Sequence, residues 1–462
     1  MIHWLQTSTG GLLTLAAVSI ALLLLLIIKL KMEPFIALIV VGLLTALAAG
    51  LPVGTIVGSA QKASDSLLEK GFGGILGHIT AIIGLGTILG AILEKSGGAQ
   101  VLTGSLLKAF GEKRAPLAMG IAGLIFGIPV FFDIGIFVLA PLVYVAAKQG
   151  GRSLVLYALP LLAGLSVTHA FLPPHPGPVA AAGLLHVELG WIILMGIVCA
   201  IPAWFIGGVL FSSWIGKRIH IPVPEDMLVE RTEEEDANLP SLKLVSLIIA
   251  VPLVLILVGT FGSIWLPTTA VTLSGIAAFI GTPAVALTIS VLLASWLLGT
   301  RRGMTGKDIG ALSSAALRPV AMILLVVGAG AFFGAVLSAT GIGKAVAGSL
   351  SDAGLPVILA AYVISCGMRI AQGSATVAIV TTSGIMAPTV TQLGFSQIQL
   401  ALLVVAISAG SIIASHVNDG GFWIISRYFN MSVPETLKTW TVLETVLSLS
   451  GFGVAALLMA VV

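Results

Sequence analysis

The sequence predicts an all-α polytopic membrane protein made of two inverted-topology repeats, each with about five membrane crossings, one re-entrant hairpin and one broken helix. Three observations carry this reading. The 462 residues are 58% hydrophobic and only 9% charged, with a mean hydropathy of +1.13. A soluble domain carries about a quarter charged residues, so most of this surface cannot face water. The apolar residues fall into two sets of runs, and basic residues between the runs give each run a side. Polar and helix-breaking residues then interrupt corresponding runs of the two sets.

The first set lies near 12–30, 34–50, 73–93, 115–147, 153–185 and 190–215. The second lies near 243–262, 268–299, 318–340, 355–388, 398–430 and 440–461. Each run can cross a hydrocarbon core of about 30 Å, and the longest can hold a hairpin or a broken helix. The first run is preceded by uncharged residues and followed by Lys29 and Lys31. Those are the wrong flanks for a cleaved signal peptide, so it reads as a retained first helix. Cytoplasmic loops carry the Lys/Arg excess, so Lys29 and Lys31 place the first connection inside and the N-terminus outside. Lys108, Lys113 and Arg114 mark an inside loop, as do Lys148 and Arg152. Both ends of 115–147 therefore face inside, which makes it a re-entrant hairpin. The run 153–185 then reads as a broken helix, and Lys217 and Arg218 return the chain to the inside.

Residues 1–215 form the first repeat, with 12–93 as its scaffold. The 216–242 segment reads as a solvated cytoplasmic linker and holds the acidic stretch Glu233-Glu234-Glu235-Asp236. The second repeat, 243–462, starts from the opposite face, with scaffold 243–340 and Arg301, Arg302 and Lys307 in an inside loop. Its 355–388 hairpin then enters from outside, and 398–430 is the second broken helix. The odd number of crossings inverts the second copy and leaves both termini outside. Trp191, Trp214, Trp265 and Trp440 lie near run ends and read as interface anchors.

Several function classes are disfavoured. Cys199 and Cys366 both lie in apolar segments and build no disulfide or metal framework. A net charge of +3 gives no nucleic-acid footprint. No nucleophile–base pair, phosphate loop or metal spacing appears, so an enzyme is not expected. Gly328-Ala329-Gly330 follows no strand and reads as helix packing.

Four motifs lie at membrane depth. In Gly127-Ile128-Pro129-Val130-Phe131-Phe132-Asp133, proline and glycine break a helix beside the only acid between Glu112 and Glu188. Asp133 reads as a proton-binding carboxylate or an acceptor for ligand hydroxyls, with a half-helix cap as the structural alternative. In Thr168-His169-Ala170-Phe171-Leu172-Pro173-Pro174-His175-Pro176-Gly177-Pro178, four prolines in six residues exclude a helix. The segment must line a cavity, and histidine titrates near neutral pH, which suits proton coupling.

In Gly367-Met368-Arg369-Ile370-Ala371-Gln372-Gly373-Ser374-Ala375-Thr376, Arg369 is the only charge in its run. Arg at mid-bilayer costs about 2.5–3.5 kcal/mol on insertion scales, so an anion should offset it. That anion is either a ligand carboxylate, held bidentately, or Asp133 or Asp419 in a structural pair. Gly373 to Thr376 then opens a half-helix whose free N–H groups also favour an anion. The fourth motif, Ser415-His416-Val417-Asn418-Asp419-Gly420-Gly421-Phe422-Trp423, offers several donors and acceptors at a backbone break. That suits a polyhydroxylated ligand, or else a capped break without one.

Together the second, third and fourth motifs resemble the gluconate permease family of gluconate:proton symporters, within the ion-transporter superfamily, and the resemblance covers nearly the whole chain. It implies uptake of a small sugar acid, gluconate or a close relative, across a bacterial inner membrane, with both termini periplasmic. It further implies a lipid-embedded homodimer with elevator-type scaffold and transport subdomains, and the proton as coupling ion without other cofactors. Scaffold helices 12–50 and 243–299 are candidates for the dimer surface. Arg369 would hold the substrate carboxylate, assisted by Gly373, Ser374 and Thr376. Thr168, His169, His175, His416, Asn418 and Asp419 would complete the substrate site, and Asp133 or Asp419 would carry the proton. The alternatives are a D-serine or short hydroxy-acid permease of the same family, of which the D-serine carriers resemble this chain less at Arg369 and at His416, Asn418 and Asp419, and a passive anion channel. Relatives often carry Glu at the place of Asp133, whose carboxylate is one methylene shorter.

Overall fold

A computed structural model describes residues 2–59, 66–223, 239–265, 271–352, 356–416 and 419–462. Every regular element among them is helical. In lipid, a segment must satisfy its own backbone groups, and a helix does so within itself. Nine helices among the described residues are long and apolar enough to cross a membrane.

After a six-residue helix, Ile2–Thr7, the first half runs through α1 (Thr9–Leu24), α2 (Pro34–Ala48), a short helical turn at Val53–Val57 and the long α3 (Leu67–Lys95). Pro34 begins α2, where a missing N–H costs nothing, and the Ser66 hydroxyl caps α3 by accepting the Glu69 N–H. An amphipathic helix that no apolar run announced, α4 (Gly98–Phe110), follows between two glycines of positive φ. The 115–147 run folds as a hairpin, α5 (Ala115–Phe126) and α6 (Phe132–Gly150), turning at Gly127–Phe131. α7 (Val155–Phe171) and α8 (Pro176–Leu185) form one helix broken at 172–175, where Pro173 and Pro174 can donate no N–H. α9 (Leu189–Trp204) closes this half through a π-helical stretch, Phe205–Phe211.

The second half contains α10 (Leu242–Trp265), α11 (Val271–Gly281), α12 (Pro283–Ala294), α13 (Gly306–Leu317) and α14 (Val320–Ala339). Then come α15 (Ile342–Asp352), the hairpin α16 (Val357–Gln372) and α17 (Ala375–Leu393), and the pair α18 (Gln397–Gly410) and α19 (Gly420–Tyr428). α20 (Val442–Met459) is last, entered through a π-helical turn at Leu437–Thr441. The order short helix, hairpin, broken helix, long helix thus occurs in both halves.

The 268–299 run, expected as one crossing, is two helices instead. Thr282 is extended and Pro283 starts a new helix, so the chain breaks after Gly281. At 1.5 Å per residue, α11 spans only about 16 Å, too little for a bilayer. The acidic stretch Glu233–Asp236 of the linker lies outside the described residues.

The broken helices occupy the middle of the molecule. The Val155–Leu185 stretch is 94% buried, and α18 is buried continuously from Leu400 to Gly410. An interrupted backbone at membrane depth needs such a protein cover. In each half the first hairpin arm meets the broken helix at a glycine. A Cβ on Gly164 of α7 would stand 2.6 Å from the Leu124 nitrogen of α5, and one on Gly410 of α18 would stand 2.7 Å from the Tyr362 oxygen of α16. Gly164→Ala should therefore push α5 off α7 and cost about 1–3 kcal/mol, the usual size of core overpacking. A thermal-unfolding midpoint in detergent equal to the parent's would show that the contact tolerates the methyl.

Candidate functional site

A cavity of about 670 Å³ lies where the tip of the α16–α17 hairpin, the start of α6, the α18–α19 break and the start of α20 converge. α3 and the α13–α14 connection form its other wall through Thr87, Ala91, Ala315 and Pro319, and Glu33 also lines it. A larger cavity, about 940 Å³, lies among α3, α8, α12 and α17 and holds none of the residues the motifs single out. The smaller cavity is the functional candidate because it gathers the buried charge.

Arg369 enters from the last turn of α16. That helix stops because Gly373 takes φ +85° and closes its N–H on the Arg369 carbonyl at 2.9 Å, a conformation glycine adopts without strain. Arg369 is 4% exposed, and its guanidinium donates to the Gly373 carbonyl and to the Asp419 carboxylate. Of the two structural partners open to Arg369 in the sequence, the structure pairs it with Asp419. The pairing does not exhaust the arginine, which has five N–H donors. Its buried Nε has no hydrogen-bond partner. Beside it, Gly373, Ser374 and Thr376 line the cavity at the start of α17, where Ser374 caps the helix by accepting the Val377 N–H.

Asp419 is the N-cap of α19. One carboxylate oxygen accepts the Gly421 N–H at 2.9 Å, and the other accepts from Arg369 and from the Ser415 hydroxyl. Three donors thus meet its two oxygens and fix the carboxylate in place. Ser415 extends the network, because Trp440 Nε1 donates to its hydroxyl at 2.7 Å and the Thr441 hydroxyl donates to its carbonyl. Trp440 is therefore no interface anchor. The π-helical turn turns it inward, 1% exposed and stacked on Phe132 with ring centroids 5.5 Å apart.

Asp133 lies in the first turn of α6, lines the cavity and is exposed. His169 also lines it, 4.6 Å ring to ring from His175, and its buried Nδ1 has no partner. Thr168, His175 and His416, also expected as ligands, do not line this cavity. The Thr168 hydroxyl is spent on the Gly164 and Leu165 carbonyls of its own helix. His175 is buried, with Nε2 2.6 Å from the Gly127 carbonyl. Since a carbonyl only accepts, His175 donates and ties the proline break to the tip of the α5–α6 hairpin. His416 turns back on the Ala414 carbonyl at 2.8 Å, and Asn418 lies outside the described residues.

Two cavity residues escaped the sequence reading. Glu444 of α20 is 2% exposed, and the Ser166 hydroxyl of α7 lies beside it. Its signal was available, since Glu444 is the lone acid in the 440–461 run.

Helical hairpins and broken helices around a cavity that holds buried charge are features found in membrane transporters. The chain belongs to the GntP permease family, whose model, described as GntP family permease, matches residues 11–462. It is 42% identical over 465 residues to the inner membrane permease YgbN of Escherichia coli, covering 98% of this chain and all of the relative. It is 40% identical to a gluconate permease of Pseudomonas aeruginosa, covering 94% and 95% of the two chains. Among solved structures, the fold matches the YdaH transporter of Alcanivorax borkumensis with a TM-score of 0.63 at 16% identity, over 93% of this chain and 98% of that one. The protein is thus an integral membrane transport protein and not an enzyme.

Proposed function

We propose that the protein takes up gluconate or a closely related sugar acid across the bacterial inner membrane, driven by protons. The observation that carries this reading is Arg369, buried at the cavity with Nε unmatched and the start of α17 beside it. A carboxylate placed there meets both a charged donor and the N-terminal end of a helix, where negative charge is favoured. Asp133 and His169 line the same space and suit hydroxyls, and the Pseudomonas relative is named for gluconate. Glu33, Ala315 and Ala316 line the cavity close in sequence to the basic connections that mark the cytoplasmic side, so the site faces inward in this reading.

The recurring order of hairpin and broken helix supports two inverted copies whose hairpins and broken helices move together against the scaffold, with both termini periplasmic. Exposed apolar side chains on α11 and α12, Phe279 and Leu292 among them, support a lipid-facing or subunit-facing scaffold of a homodimer. The test is uptake of labelled gluconate into proteoliposomes holding the purified chain. Concentrative uptake under an inward proton gradient, competed by unlabelled gluconate and not by D-serine or glycerate, is the expected result. Competition by D-serine or glycerate would move the substrate to a shorter acid, and equilibration without accumulation would make the protein a channel.

A further inference from the structure

The binding reading leaves one buried acid of the cavity without a role. Glu444 sits in the first turn of α20, and its Oε1 has no hydrogen-bond partner. Arg369 is the one guanidinium or ammonium among the described residues lining the cavity, and Asp419 already matches its charge. An ionised Glu444 therefore adds a buried negative charge with no cation of its own, a costly state. A substrate carboxylate brought to Arg369 would add a second.

We propose that Glu444 is the proton carrier of the transport cycle, protonated while the anionic substrate occupies the cavity and ionised after it leaves. The proposal rests on the reading of the chain as a proton-coupled sugar-acid carrier, and it names the group that couples. With a proton on one Glu444 oxygen, the Arg369–Asp419 pair is neutral and, apart from the exposed Glu33 and Asp133, the substrate contributes the single net charge. Without that proton, the substrate and the buried Glu444 are two uncompensated negative charges beside one arginine. Substrate and proton thus favour each other's binding by the same factor in both directions. The step forms one O–H bond on Glu444 and later returns H⁺ to water, and no other bond changes.

Glu444 is the one carboxylate among the described residues lining the cavity that is buried and unpaired by a cation. Among the elements packed against α20, α7 carries Tyr157 and His169, α9 carries Cys199, and α16 carries Tyr362, Cys366 and Arg369. The π-helical turn adds only the exposed Lys438, and α18 adds no ionisable side chain. The Tyr362 hydroxyl is engaged with Ser448 at 2.9 Å. Asp419 is held by three donors, and Asp133 is exposed where Glu444 is buried.

The experiment compares the full chain with Glu444→Gln in proteoliposomes, by two readouts of labelled gluconate. One is accumulation under an imposed inward proton gradient, and the other is counterflow at equal pH on both sides. Glu444→Gln should lose about tenfold or more of the gradient-driven accumulation, and its pH dependence, while still exchanging gluconate by counterflow. Accumulation at the parent level overturns the proposal. So does loss of counterflow together with accumulation in protein that has inserted, since Glu444 would then serve binding or folding. If Glu444→Gln does not insert, Glu444→Asp keeps a titratable group one methylene shorter, and its accumulation-versus-pH curve must shift. An unshifted curve also overturns the proposal. A parent chain that exchanges gluconate but ignores the gradient refutes proton symport itself, and one that does not exchange gluconate refutes the substrate.

Discussion

Arg369→Ala is expected to lower gluconate uptake at subsaturating concentration by about 10- to 150-fold. Hydrogen bonds to charged groups contribute about 1.5–3 kcal/mol, and each 1.4 kcal/mol is about tenfold. The alanine variant also strands Asp419, so lost uptake alone would not separate binding from folding. Arg369→Lys makes that separation. It keeps a positive charge near Asp419 but replaces the planar fork with a point charge that cannot hold a carboxylate bidentately. The lysine variant should unfold close to the parent temperature and still show a raised KM. If it transports gluconate with the parent KM, the guanidinium is not the carboxylate's ligand.

Much of this site was legible because its residues are expensive where they stand. A lone Arg369 in an uncharged run, and prolines at 173, 174, 176 and 178, are each difficult to place in lipid without a cavity or a partner. What the sequence left open depended on side-chain direction. Asp133 and Asp419 were equal candidates for Arg369, and the choice followed from Gly373 ending α16 beside the cap of α19. Thr168 and His175 belong to the same motif as His169, yet helix phase turns Thr168 back on Gly164 and the proline break turns His175 onto Gly127. Trp440 sits at a run end, where an interface position is the usual reading, and a π-helical turn rotated it into the core. The split of 268–299 was written in Gly281-Thr282-Pro283, but continuous hydropathy across it hid the break.

The pairing of Arg369 with Asp419 leads to the second large effect. Asp419→Ala removes the partner of a buried guanidinium, and breaking such a pair costs about 3–5 kcal/mol. It also removes the cap of α19, for which about 1 kcal/mol is typical. The variant should therefore unfold well below the parent in detergent. The double variant Arg369→Ala with Asp419→Ala leaves neither charge stranded, so part of that stability should return, with a coupling of about 0.5–3 kcal/mol between the two positions. Uptake should not return with it, because the donor for the substrate carboxylate is gone. Recovery of both properties in the double variant would reduce the pair to scaffolding. Recovery of neither would mean that the two charges do not depend on each other for the fold. Stability that returns without transport is the outcome that assigns Arg369 two tasks: one half of its donors holds the hairpin tip to the second broken helix, and the other half waits for an anion.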